Sequence, residues 1–126
     1  MFLLYMDLDN LKNINDTLGH HKGDQALSGI ADLLKTTFRS VDVKGRMGGD
    51  EFAVLFVGAS RDGQEAAVSR FQKKIEAFNE SKENPFHLSV SMGVSHYDPE
   101  HPCTIDELIV RADKLMYEEK RRKGRV

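Results

Sequence analysis

In the stretch KGRMGGDEFAVLF, residues 44–56, two glycines and two adjacent acids stand against an almost wholly apolar run: Gly48, Gly49, Asp50 and Glu51. A further acid, Asp7, ends another apolar run, FLLYM. Carboxylates converging from separate strands repel one another unless a cation or a donor sits between them. A hard cation suits such oxygen ligands. Magnesium takes one or two carboxylates, keeps several waters and completes its shell with substrate phosphate oxygens. Zinc spacing is lacking, since His20 and His21 are adjacent, His87, His96 and His101 are scattered, and Cys103 is single. Taken alone, Asp50 and Glu51 read equally well as a solvated turn with one acid facing out.

The elements that must carry these acids follow from periodicity. Residues 2–6 read as a buried strand, and 7–24 as a polar, turn-rich segment with one short helix. Leu27, Ile30, Leu34 and Phe38 recur at helical spacing, which predicts a helix over 24–38. Residues 40–47 and 51–57 read as strands of a hairpin. Gly48-Gly49 supplies the positive φ of a tight primed turn. Val68, Phe71, Ile75 and Phe78 predict a helix over 62–81, and 88–94 alternates as a half-buried strand. Thr104 and Glu107 form a capping box ahead of a last helix, 105–121.

The order is βαββαβ with an appended helix, an α+β split-βαβ fold of the ferredoxin-like, palm type. Right-handed crossovers set the first and third strands side by side and antiparallel, so Asp7 meets Asp50 and Glu51 at one sheet edge. The chain of 126 residues, 40% apolar and 30% charged with net charge −2, suits one soluble domain, 1–126. That balance gives no reason to expect a nucleic acid polymer or an anionic membrane as partner. One cysteine excludes an internal disulfide and favours a reduced, cytoplasmic setting. MFLLYM is too short for a signal peptide or a membrane span. Its abrupt strand at residue 2 suggests a domain cut from a longer protein, either soluble or the cytoplasmic part of a membrane-bound one.

Four motifs carry a family resemblance. GGDEF at 48–52, preceded by Arg46 and Met47, is the signature of the GGDEF domains, the diguanylate cyclases. DLDNLKNINDTLGHHKGD resembles that family's DxDxFKxxNDxxGHxxGD, while SVSMGVS and RADKLMYEEK resemble its two later motifs. The resemblance spans nearly the whole chain, in order. It implies a palm-like, nucleotide-cyclase-like sheet that joins two GTP molecules into cyclic di-GMP and releases two pyrophosphates. Each protomer holds one GTP, so a homodimer is required.

The same resemblance distributes roles. Asp7 and Asp50, with the carbonyl of Leu8, would hold Mg²⁺ (Mn²⁺ being able to replace it). Two such ions roughly 3.5–4 Å apart stabilise both the attacking 3′-oxygen and the α-phosphate. Glu51 either binds metal or helps deprotonate the 3′-hydroxyl. Gly48 and Gly49 admit the nucleotide, although turn geometry explains them as well. Lys12 meets terminal phosphates as a point charge, unless it is a plain surface lysine. Backbone N–H groups near Asn10 and Leu11 add phosphate contacts.

Asn15 and Asp24 read guanine, and their buried polar groups reject ATP. The competing reading makes Asn15 a helix-terminal residue and Asp24 the N-cap of helix 24–38. His20 is read as a structural hydrogen-bonder in a turn. Lys120 and Arg125 contact distal phosphates. Here the tail KRRKGRV is one residue longer than the family pattern and has Val126 for Asn, so Arg121 is the alternative to Arg125, and a solvated basic tail the alternative to both. Arg39 and Asp42, in RSVD, match the family's RxxD inhibitory site for cyclic di-GMP. The bland alternative is an exposed ion pair at a helix end.

Two departures stand out. Leu11 replaces the usual Phe, and the family's N-terminal DxLTGLxNR segment is absent, leaving an N-terminally truncated domain. Arg46 is then expected to lack its acidic partner, with lower stability or activity as the result. Three functions compete: an enzyme with its catalytic signature intact, a module that binds GTP or cyclic di-GMP without turnover, and a partner-docking domain. The intact acids favour the enzyme, regulated by a fused sensor domain and inhibited by its own product.

Overall fold

A computed structural model describes residues 1–124. Among them run β1 (Phe2–Leu8), α1 (Leu11–Leu18), α2 (His20–Thr37), β2 (Val43–Arg46), β3 (Glu51–Phe56), α3 (Arg61–Glu80), β4 (Val90–His96) and α4 (Ile105–Arg122). The strands form one antiparallel sheet in the order β2-β3-β1-β4. The α+β architecture and the pairing of the first and third strands are as the crossover rule requires. No helix among the described residues is long and apolar enough to cross a membrane.

Both faces of the sheet are covered, which is why every residue of β1 is buried. Phe2, Leu4, Met6 and Leu8 point into the larger core with Ile30 and Leu34 of α2, Phe71 and Ile75 of α3, and Phe52, Val54 and Phe56 of β3. Leu3 and Tyr5 point the other way, against Ala53 of β3 and Leu108, Ala112 and Met116 of α4. Successive strand residues alternate faces, so Asp7 lies on the α4 side with Tyr5.

The small residues of SVSMGVS now have a cause. α4 crosses β4 so closely that a Cβ at Gly93 would overlap the carbonyl of Ala112 and come within 2.5 Å of the Met116 nitrogen. Ser95, buried beside it, donates to the Leu108 carbonyl at 2.8 Å. Thr104 accepts from the Glu107 N–H at 3.1 Å and starts α4 as the capping box predicts.

Several expectations are corrected. α2 begins at His20, not 24, because Gly19 (φ 93°) both ends α1 and starts α2 in a single residue. His20 therefore sits in a helical turn, and Asp24 lies inside α2 and is no N-cap. β1 runs on to Leu8, β2 is confined to 43–46 and β4 is shifted to 90–96. The β2–β3 connection is also not a primed turn, since neither Gly48 nor Gly49 has positive φ. Instead the loop is wide: the Met47 N–H donates to the Glu51 carbonyl at 2.8 Å. Arg46 is not left unpaired, for its guanidinium donates to the carbonyls of Gly48 at 3.1 Å and Gly49 at 2.5 Å. Those bonds curl the loop around one side chain and replace positive-φ geometry as its organiser.

Candidate active site

Strand register brings the acids together. Asp7 of β1 stands opposite Glu51 of β3, and the Leu8 N–H donates to the Asp50 carbonyl at 3.1 Å, which docks the end of the loop on β1. One carboxylate oxygen from each of Asp7, Asp50 and Glu51 lies within 4.8 Å of the others. Leu8 turns its side chain into the opposite core, so only its backbone is available to this cluster.

Each acid has a different environment. Asp7 is buried, and its Oδ2 takes an ion pair from Lys120 Nζ at 2.6 Å, while Oδ1 is buried with no hydrogen-bond partner. Burial pushes its pKa up from the ordinary 3.8 to about 6; the Lys120 bond opposes this and the neighbouring Asp50 adds to it. Glu51, half-buried, accepts a hydrogen bond from the phenol of Tyr5. Burial first, and then Glu51 itself, hold that phenol above the usual tyrosine range. Asp50 is half-buried too and accepts no hydrogen bond on its carboxylate among the described residues.

Asp9, the second acid of the DxD motif, does something else. Its side chain is fully covered and accepts from Ser89 at 2.8 Å and Ser91 at 2.6 Å, with Lys123 Nζ at 3.4 Å. It fastens the end of β1 to β4, and its Oδ1 lies 3.9 Å from Lys120 Nζ. Lys123 also donates to the Val90 carbonyl at 2.6 Å and pairs with Glu119 at 3.3 Å. These contacts anchor the end of α4 on the sheet edge and so aim Lys120 at Asp7.

Among the described residues, no other predicted nucleotide contact makes a side-chain hydrogen bond to this cluster. Gly49 has open space where a side chain would project, and a Cβ at Gly48 would meet only Glu51 at ordinary distance. Neither glycine is demanded by φ or by internal packing. Asn10 precedes α1 and spends its amide on the His87 carbonyl at 2.7 Å, leaving its buried Oδ1 unpartnered. Leu11 packs on the core from its half-buried position, and Lys12 is exposed in a groove shared with Asp9, Asn13, Asp16 and Gly124. Asn15 presses on Gly23, the residue before Asp24, where a Cβ would overlap its Oδ1. Asp24 is exposed and lines a hollow of about 290 Å³ with Leu27, Ser28, Arg46 and Phe52. Arg121 is exposed beside Arg122, away from Asp7, and Arg125 lies outside the described residues.

A second polar site lies toward the other end of β3. Arg39 donates to both Asp42 oxygens at 3.0 and 3.4 Å and to the Val57 carbonyl at 3.0 Å. Asp42 is buried, so the pair is not the exposed one of the bland reading. It borders a cavity of about 410 Å³ that Ser60 and Arg70 also line. Sequence reasoning missed Arg70, Tyr5, Lys123 and the structural role of Asp9. Only the last left a local signal, the serines that alternate along 89–95.

Comparison with known proteins identifies the family and the fold. The sequence model of the family described as "Diguanylate cyclase, GGDEF domain" matches residues 1–125. The chain is 38% identical over 120 residues to the uncharacterized protein YhcK of Bacillus subtilis, covering 94% of this chain and 33% of that one. It is 34% identical over 119 residues to diguanylate cyclase A of Treponema denticola, covering 94% and 32%. The chain thus spans about a third of the length of these relatives. Among solved structures, the GGDEF domain of DgcB from Caulobacter crescentus, in complex with c-di-GMP, superposes with a TM-score of 0.82 at 25% identity, covering 95% of this chain and 71% of that one. Sequence motifs, sheet topology and relatives agree: the chain belongs to the GGDEF domain family of the diguanylate cyclases.

Proposed function

We propose that this single domain condenses two GTP molecules into cyclic di-GMP. Each 3′-hydroxyl attacks the α-phosphate of the other GTP. A new P–O bond forms, the bond to the β-phosphate oxygen breaks, and pyrophosphate leaves with its electron pair. The observation that carries the reading is the cluster of Asp7, Asp50 and Glu51 within 4.8 Å, beside a glycine loop whose outer side is open. The donor set is all oxygen and includes the orphaned, buried Oδ1 of Asp7, which fits a hard divalent cation such as Mg²⁺ or Mn²⁺. Asp7, Asp50, Glu51 and the Leu8 carbonyl would hold it. When bound, the metal supplies charge stabilisation at the phosphate and lowers the pKa of the attacking hydroxyl.

The chain's own groups do the rest. Lys120, held beside the cluster by its 2.6 Å ion pair with Asp7, would pair with phosphate oxygens of the nucleotide. Lys12 and the N–H groups at Asn10 and Leu11 receive the terminal phosphates. Asn15 and Asp24 accept and donate along the guanine edge, and Gly48 and Gly49 let the backbone lie against the nucleotide. The proton of the 3′-hydroxyl passes to a carboxylate of the cluster, Asp50 and Glu51 being its half-buried members. One GTP per protomer makes a homodimer the catalytic unit. The product returns to Arg39 and Asp42, with Arg70 facing the same cavity, and inhibits. The domain works in the cytoplasm under a fused sensor domain.

Incubation with GTP and Mg²⁺, followed by nucleotide separation, tests this. Cyclic di-GMP with two pyrophosphates per product is expected, with a rate that rises more than linearly with protein concentration. No product at high protein concentration, with GTP or cyclic di-GMP still bound, would favour the binding module instead.

A further inference from the structure

We infer that Tyr5 is a positioning residue: its phenol holds the Glu51 carboxylate in the acid cluster, in geometry fit to bind a divalent cation. This rests on the reading above that Glu51 acts within that cluster.

Tyr5 lies two residues before Asp7, on the same face of β1. Its register partners are Ala53 on β3 and Gly93 on β4, two of the smallest residues. Glu51 is the diagonal neighbour across the β1–β3 pair, a separation that an aromatic side chain spans. Tyr5 shares the smaller core with Ala112 and Met116 of α4, and its phenol reaches along the strand to Glu51. The hydroxyl donates to Oε2 of Glu51, and among the described residues no donor bonds Oε1.

Glu51 needs such a hold. It opens β3 directly after the wide glycine loop, on a side chain with three rotatable bonds. It stands opposite Asp7 across the strands, where like charges repel. Among the described residues no other donor bonds its carboxylate. Lys120 performs the matching task for Asp7, at 2.6 Å. Two of the three acids are thus each fixed by one donor of long sequence separation, as outer-shell partners orient metal-binding carboxylates elsewhere.

An aromatic residue on a buried strand is more often plain core, and phenylalanine would fill the same space. The hydroxyl therefore carries the test. Tyr5→Phe is compared with the unaltered chain by thermal unfolding and by Mn²⁺ titration without nucleotide, read by electron paramagnetic resonance. The expected result is a folded variant whose Mn²⁺ affinity falls on the order of 10-fold, the usual size of an outer-shell loss. In a Glu51→Gln background the same change is expected to have no further effect. With GTP, kcat at limiting Mn²⁺ should fall, recover at high Mn²⁺, and leave KM for GTP within about twofold.

Unchanged Mn²⁺ affinity in Tyr5→Phe overturns the inference, as does a variant that fails to fold or a wild-type chain that binds no Mn²⁺. A persistent 10-fold effect in the Glu51→Gln background does so too. If wild type binds Mn²⁺ but makes no cyclic di-GMP, the cyclase reading fails, and the Mn²⁺ titration still decides the role of Tyr5.

Discussion

Asp50→Asn should make the metal-free domain more stable while removing its response to magnesium. Asp7, Asp50 and Glu51 each place an oxygen within 4.8 Å of the others. At that distance, with an effective dielectric constant of about 20, one like-charge pair repels by about 3.5 kcal/mol, and in bulk water by about 0.9. The pKa of Asp7 sets a net scale, with Lys120 opposing burial and Asp50. Its rise from 3.8 to about 6, caused first by burial and only in part by Asp50, corresponds to about 3 kcal/mol in all. With solvent reaching half-buried Asp50, the repulsion lies near the bulk-water value, about 1 kcal/mol. In a chain of this length that raises Tm by about 3–5 °C.

The sign follows from linkage. A carboxyl raised in the folded state contributes stability that is fully present below about pH 4 and lost as pH rises through about 6. The gain from Asp50→Asn is therefore expected at pH 7.5 and should shrink toward pH 4.5. Saturating Mg²⁺, at about 100 times its Kd, stabilises the wild type by about 2.7 kcal/mol and the variant far less. Thermal unfolding at both pH values, with and without Mg²⁺, reads all four quantities. A variant less stable than wild type without metal, or one that keeps the full Mg²⁺ gain, would refute the reasoning.

Acidification supplies a related test: Mg²⁺-induced stabilisation should fade as pH drops below about 6, where Asp7 takes up a proton, as thermal shifts across pH 5 to 8 would show. Gly93→Ala forces a methyl into the α4 backbone and should cost about 2–3 kcal/mol in urea unfolding. Lys120→Met leaves buried Asp7 without its ammonium; the expected loss is about 1–2 kcal/mol at pH 7.5 and less at pH 5, together with a KM for GTP raised about 10-fold. Arg39→Ala should raise the cyclic di-GMP concentration for half-inhibition at least about 10-fold, measured in initial-rate assays, because it removes a bidentate donor beside the Arg70 cavity.

The sequence by itself determined the order of elements and the meeting of Asp7 with Asp50 and Glu51. Apolar periodicity acts over a few residues, and crossover handedness leaves one arrangement for the first and third strands. The Thr104 cap and the family motifs were legible for the same reason: their information is local and contiguous. The tertiary structure alone decided which partner each acid has. That Lys120 and not Arg121 meets Asp7 depends on how α4 lies on β4, and that depends on Gly93. The bond from Tyr5 to Glu51 joins residues 46 apart, and no local pattern encodes it. Gly48 and Gly49 looked like a positive-φ turn because their neighbours resemble one. The Arg46 guanidinium, bonded to their carbonyls, instead holds the loop wide and leaves the glycines open on their outer side. Local hydrogen bonding and burial shape each element; only packing between elements can choose side-chain partners across the sheet.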